Sequence, residues 1–105
     1  MISDTPQPPY YAVIFSSIRT EVSSGYVDMA DRMVELARQQ DGFLGIETAR
    51  SGLGITVSYW RDLSSIKKWK QHSDHLIAQE KGKKDWYSHY KVRIALVERE
   101  YGFDR

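Results

Sequence analysis

Residues 43–60, FLGIETARSGLGITVSYW, decide the fold because they predict two strands joined by a short turn. The first strand runs from Phe43 to Arg50, and the second runs from Ile55 to Trp60 and begins with three β-branched residues. The residues between them, SGLG, have the glycine content of a tight turn. Two strands separated by so short a segment form an antiparallel hairpin.

The segment before the hairpin predicts a strand and then an amphipathic helix. Residues 10–19 begin Tyr-Tyr-Ala-Val-Ile-Phe, and nearly continuous apolar residues of this kind are typical of a strand. Ser23-Ser24-Gly25 supplies residues that cap helices. Apolar residues then recur from Tyr26 to Ala37 with the spacing of one helix face. Gly42 can close this helix by taking the left-handed backbone conformation.

The segment after the hairpin predicts a second helix and a last strand. Asp62 or Ser64 is the expected helix cap. Trp69 lies on the apolar face of this helix, and Gly82 weakens or breaks it. Residues 90–100 alternate as a strand does, and one face of that strand carries Tyr90, Val92, Ile94 and Leu96.

The predicted order is therefore βαββαβ, the ferredoxin-like pattern of the α+β class. Right-handed crossovers place both helices on one face of a four-stranded antiparallel sheet. Residues 1–9 end in two prolines and predict a flexible N-terminal tail, and residues 10–105 form a single domain. The first and last strands carry apolar residues on both faces, although the helices cover only one. A homodimer in which two sheets face each other explains this pattern.

Composition narrows the classes of function. The net charge of +1 gives no global reason to expect nucleic-acid binding. The chain has no cysteine, which excludes disulfides, thiolate nucleophiles and cysteine-based metal sites. No apolar stretch approaches the ~20 residues that a membrane span needs, and no signal-peptide pattern is visible. A cytoplasmic protein that binds neither membrane nor nucleic acid is the expectation.

Chemically versatile side chains concentrate in residues 59–93, which hold all three tryptophans and all three histidines. Such side chains combine an apolar body with a polar tip, so the segment predicts a pocket or an interface. The candidate catalytic residues are His75 and Arg93, and the candidate substrate-binding residues are Trp69, Trp86, Tyr87 and Tyr90. His75 could act as a general base near neutral pH, and Arg93 could stabilise an anionic substrate or an oxyanion.

Each candidate also has a purely structural interpretation. Trp69 shares its helix face with Ile66 and could simply pack in the core. Trp86 and Tyr87 could plug one end of the domain. A strand arginine such as Arg93 is costly to bury unless it is paired, and Glu47 or Glu98 would be its partner. His72 lies three residues before His75, but no third metal ligand is evident, so no metal is expected.

Three features together resemble the antibiotic biosynthesis monooxygenase (ABM) superfamily over residues 10–100. Within the βαββαβ order, these are Asp41-Gly42-Phe43-Leu44-Gly45 at the entry to the second strand, Tyr59-Trp60-Arg61-Asp62 at the exit from the third, and Trp69 in the next helix. The run from His75 to Arg93 resembles an uncharacterised bacterial subgroup. The resemblance implies a dimeric α+β barrel with a pocket between sheet and helices in each protomer. It also implies oxidation of electron-rich phenolic substrates with dioxygen, without metal or flavin.

Three functions follow from this resemblance. The first is a cofactor-independent monooxygenase acting on a small aromatic or polyketide-like molecule. The second is a non-catalytic dimeric protein that binds small molecules or is associated with stress. The third is a haem-binding or haem-degrading protein. Against the third, Gln79 stands where the haem-degrading branch has a histidine, so a haem ligand is lost unless His75 substitutes for it. Ser16 or Ser17 stands where that branch has an asparagine.

Overall fold

A computed structural model of the chain describes residues 2–80 and 83–105, without the side chains of residues 76–80 and 83–84. The predicted βαββαβ order is confirmed, with one added helical turn before the last strand. The expected break at Gly82 lies outside the described residues. The elements are β1 (Tyr10–Arg19), α1 (Tyr26–Arg38), β2 (Phe43–Arg50), β3 (Gly54–Trp60), α2 (Leu63–Glu80), α3 (Lys83–Trp86) and β4 (Tyr87–Val97).

The four strands form one antiparallel sheet in the order β2-β3-β1-β4. Val13 of β1 lies between Ser58 of β3 and Ile94 of β4. Val13 also packs against the core cluster that includes residues of both helices, so it marks the helix-covered face. Because side chains alternate along a strand, Ile14 and its partner Arg93 lie on the opposite face.

The two helices begin differently. Gly25 precedes α1 with a φ of 79°, and no side chain caps this helix, so the serines before it do not act as predicted. For α2, the Asp62 carboxylate accepts the Ser65 backbone N–H at 2.8 Å, which selects Asp62 from the two predicted caps. Hydrogen bonds from the Ser65 hydroxyl, from the Ser65 backbone N–H and from Arg61, in that order of size, lower the pKa of Asp62 to about 2.

Gly42 joins α1 to β2 at a position that requires glycine. Its φ is 89°, and a Cβ there would meet the Ser65 hydroxyl at 2.1 Å. Its carbonyl accepts the Arg61 N–H at 2.8 Å, which ties the start of β2 to the end of β3. The sharp turn therefore brings the first residues of α2 against the hairpin.

The core of the helix-covered face centres on Trp60, which is fully buried against Ala37 of α1 and Ile66 of α2. Its indole N–H donates to the Ser58 hydroxyl at 2.8 Å, so the one polar atom of this ring is satisfied. Trp69 stacks on Trp60 with 5.7 Å between ring centroids. The tryptophans thus fix where α2 lies on the sheet.

The segment before β1 hydrogen bonds to the face away from the helices. The Ser3 N–H donates to the Glu47 carboxylate at 2.8 Å, and the Tyr59 hydroxyl donates to the other oxygen of that group at 2.7 Å. Thr5 and Tyr10 both donate to Glu100, which follows β4. The flexibility expected of residues 1–9 stays a prediction. No helix among the described residues is long and apolar enough to cross a membrane.

Candidate functional site

An exposed apolar strip lies on the helix-covered face beside β4. In the protomer, α1 packs against β2 and α2 against β3, so the helix-facing side chains of edge strand β4 remain uncovered. These four side chains are between 40% and 54% exposed: Tyr90, Val92, Ile94 and Leu96. Beside them lie Val13 and Phe15 of β1, both partly buried. We call these six residues the helix-side groove. A continuous apolar strip of this kind is typical of a ligand or partner surface.

Aromatic rings surround the end of the groove where β4 begins. Phe15 contacts Tyr87 and Tyr90 with ring centroids 5.5 and 5.4 Å apart. Tyr26, the first residue of α1, contacts Tyr87 edge-on at 5.9 Å, and the two hydroxyls lie 3.5 Å apart. Burial is the largest cause that raises the pKa of Tyr87, and the hydrogen bond with Tyr26 adds to it. Tyr87 is therefore a protonated hydrogen-bond donor at neutral pH.

Trp86 lies behind this aromatic end. It is buried, and its indole N–H donates to the Ser24 carbonyl at 2.9 Å. Its ring also contacts Tyr26 edge-on at 6.0 Å. Trp86 thus holds α3 against the start of α1, whereas Tyr90 reaches the groove directly. Trp86 and Tyr87 were predicted together as substrate-binding residues, and of their ring contacts those of Tyr87 reach the groove residues Phe15 and Tyr90.

Trp69 lies at the other end of the domain, near Trp60 and Tyr11. It is partly buried, so one part of its ring packs in the core and another part remains accessible. In the sheet register Tyr11 is the neighbour of Leu96, the last groove residue. The two interpretations of Trp69, packing and pocket lining, are therefore compatible.

Two arginines that the sequence did not single out lie beside the aromatic end. The Arg19 guanidinium stacks on the Tyr26 ring, 3.4 Å from its centroid. Arg50 crosses over Gly54 and donates to both the carbonyl and the hydroxyl of Ser17. The sequence feature that could have identified them is their position: each is the last residue of a predicted strand. Since β1 and β2 are both antiparallel to β3, these two strand ends lie at the same end of the sheet.

The structure does not bring the two predicted catalytic residues together. Arg93 lies opposite Ile14, on the face away from α2, and is exposed. Its expected partner Glu47 accepts hydrogen bonds from Tyr59 and Ser3 instead, and Arg93 forms no ion pair within the described chain, so that prediction was wrong. His75 is exposed on α2, six residues after Trp69. Within one protomer, His75 and Arg93 cannot face the same ligand.

Metal coordination was not expected, and the described residues offer no group of three or more His, Asp or Glu side chains able to hold a metal ion. The described polar groups near the groove include phenols, guanidinia, a serine hydroxyl and the Lys70 ammonium, which is close enough to Tyr90 to interact with its charge. These groups donate hydrogen bonds, so they suit an anionic or phenolic ligand.

Known proteins of related sequence share this fold and its family. The family described as antibiotic biosynthesis monooxygenase matches residues 9–81. An uncharacterised protein of Bacillus subtilis, YqjZ, is 52% identical over 94% of this chain and 89% of its own length. A jasmonate monooxygenase of Pyricularia oryzae is 30% identical over 88% of this chain, which spans only 39% of that protein.

A solved structure of a known protein has the same fold as this chain. SnoaB, a cofactor-independent oxygenase from Streptomyces nogalater, superposes with a TM-score of 0.66 over 93% of this chain and all of its own. The identity is 8%, so this likeness concerns the fold alone. With a family match over most of the chain and a relative more than half identical, the chain belongs to the antibiotic biosynthesis monooxygenase family.

Proposed function

We propose that the protein is a cofactor-independent monooxygenase that oxidises a small electron-rich aromatic molecule bound in the helix-side groove. The observation that carries this proposal is the exposed apolar strip on β4, which ends at the phenols of Tyr87 and Tyr90. An apolar floor with a few polar groups at one end is the usual form of a small-molecule site. A relative that is 30% identical and named as a jasmonate monooxygenase supports the same class of reaction.

The proposed reaction converts a phenolic ring to a quinone. One atom of dioxygen becomes the new carbonyl oxygen, and the other leaves as water with two hydrogens from the substrate. The substrate supplies all four electrons, so no external reductant is required. The first step is loss of the phenolic proton, because the phenolate gives an electron to dioxygen far more readily than the phenol does.

The chain supplies groups for proton removal and for orientation. Tyr87 keeps its own proton at neutral pH and donates it to the Tyr26 hydroxyl, so it orders the aromatic end of the groove but cannot act as the base. His75 remains the proposed base, because histidine is the side chain that most often serves in general acid–base catalysis. Tyr90 would contact the aromatic body directly, and Trp69 would border the far end of the groove beside Leu96. Arg93 lies on the other face, so we leave it out of this site.

We also propose that the protein is a homodimer. On the face away from the helices, Ile18 and Ile55 are 46% and 40% exposed, as the predicted sheet-to-sheet contact requires. The chain after β4 adds Tyr101 and Phe103, whose side chains are almost entirely exposed in the protomer. Residues 96–101 also border an open depression of about 800 Å³ beside Gln7 and Pro8. A second copy would cover these apolar surfaces.

Oxygen uptake tests the proposed activity. With dihydroxynaphthalene or an anthrone as substrate, we expect one dioxygen to be consumed for each quinone formed. The amount of quinone is measured by its absorbance. His75→Ala should lower the rate by about a hundredfold or more, as loss of a general base does. His89→Ala is the matched control, because His89 lies on the face away from the groove. An unchanged rate in His75→Ala would remove His75 from the mechanism.

The same measurements separate the alternatives. Binding of aromatic ligands without oxygen uptake across a broad panel would refute the monooxygenase and favour a binding protein. Haem titration provides an independent test, because a haem-binding protein would shift the haem absorbance at micromolar concentration. We expect no such shift.

A further inference from the structure

A basic site lies at the end of the helix-side groove where β1 ends and β4 begins. The register places Arg19 opposite Tyr87, and Ser17 opposite Tyr90. Arg50 reaches Ser17 from β2 by crossing over Gly54. Two guanidinium groups from different strands therefore meet the same end of the groove.

The Arg19 guanidinium has donors without a protein partner. One of its terminal nitrogens donates to the Val22 carbonyl at 2.9 Å. Its Nε–H is buried and has no hydrogen-bond partner among the described residues. A buried donor without a partner is costly, which is a reason to look for a ligand acceptor there.

The positive charge is also uncompensated. Neither Arg19 nor Arg50 forms an ion pair with a carboxylate of the described residues. Both arginines oppose the rise in the pKa of Tyr87, which places their charges near that phenol. The groove therefore has an apolar floor at β4 and a doubly charged end.

We infer that the substrate of the proposed oxygenase is an aromatic carboxylic acid, whose carboxylate binds Arg19 and Arg50 while its rings lie on Val92 and Ile94. This inference rests on the proposed function and specifies that the aromatic substrate carries a carboxylate. A guanidinium pairs well with a carboxylate because its planar donors match the two oxygens. From Tyr90 to Ile94 the strand spans about 13 Å, which suits a molecule of two or three fused rings.

Calorimetric titration without oxygen tests this inference independently of turnover. The probes are a hydroxynaphthoic acid and its methyl ester, which share the ring system and differ in the charge. We expect the acid to bind the unaltered protein roughly tenfold or more tightly than the ester. Salt near 1 M, where the Debye length is ~3 Å, should reduce that ratio.

Variants then assign the effect to the two arginines. Arg19→Gln and Arg50→Gln should each bring the affinity for the acid close to that for the ester and leave the ester unchanged. Arg38→Gln is the matched control, since it removes the same charge from an exposed position on α1. Because Arg19 also packs on Tyr26, Arg50→Gln and the unaltered protein keep the test valid if Arg19→Gln fails to fold.

The outcomes distinguish the two proposals. Equal affinity for acid and ester, or an equal loss in Arg38→Gln, would overturn the carboxylate site, while oxygen uptake with the ester would leave the oxygenase standing. Preference for the acid that depends on Arg19 and Arg50, without oxygen uptake, would keep the site and refute the oxygenase.

Discussion

Replacement of Ile94 by alanine tests whether the helix-side groove is the binding surface. Ile94 is 54% exposed on the groove floor. Full burial of an isoleucine side chain is worth about 1.5–3 kcal/mol, so a ligand that covers the exposed half would gain about 0.8–1.6 kcal/mol from it. Ile94→Ala should therefore weaken the binding of dihydroxynaphthalene about fivefold, near 1 kcal/mol.

The matched control is Ile55→Ala on the opposite face of the sheet. Ile55 is 40% exposed, and its register partner Ser16 lies on the face away from the helices. Both substitutions remove the same atoms, and each should lower the free energy of unfolding by about 1–2 kcal/mol through the part already buried. Urea unfolding checks this loss in each variant.

Calorimetric titration and light scattering on both variants then decide the question. We expect weaker ligand binding only in Ile94→Ala. If Ile55→Ala weakened binding as much while light scattering still gave the mass of a dimer, or if Ile94→Ala lost stability and kept its affinity, the groove would not be the ligand site. A change of oligomeric state in Ile94→Ala with unchanged affinity would show that a second copy covers the strip instead.

Three further predictions follow from particular contacts. Ser58→Ala leaves the buried indole N–H of Trp60 without a partner, so the free energy of unfolding measured in urea should fall by about 1–3 kcal/mol. Burial and the Glu47 carboxylate raise the pKa of Tyr59 from 10.0 to about 12. The contribution of Tyr59 to the free energy of unfolding is therefore fully present below pH 10 and is lost as the pH rises towards 12. Thermal melts should show this loss less strongly in Tyr59→Phe. Light scattering should give twice the 12.2 kDa protomer mass at micromolar concentration, and deletion of residues 101–105 should shift the mass towards the monomer.

Local patterns predicted the elements because those patterns depend on near neighbours. The hairpin of residues 43–60 was visible in its glycine turn, and the face of α1 in its apolar spacing. The two-sided apolar pattern of β4 also indicated a surface needing cover. It did not indicate that the helix side of β4 is uncovered as well as the opposite side, because that depends on how far α2 reaches across the sheet.

The basic site was missed for a related reason. Arg50 meets Ser17 only because β2 pairs with β3 and β3 pairs with β1, and each register is a non-local property. Arg93 was selected instead because it stands alone among apolar residues, a local signal. Its alternation with Ile94 was correctly predicted, but the face that the helices cover was not, so Arg93 was assigned to the same site as Trp69.

The basic site and the apolar chain after β4 lie at opposite ends of the groove, so the groove has room for both a substrate and a second copy. Residues 98–105 leave β4 at its Leu96 end, whereas Arg19 and Arg50 lie at its Tyr87 end. The strand between these ends spans about 30 Å, which is longer than a molecule of three rings. Apolar side chains of a partner could therefore cover the Leu96 end without reaching the basic end. If so, dimer formation would shorten and close the groove, and the affinity for an aromatic acid should fall when residues 101–105 are deleted, although both arginines remain.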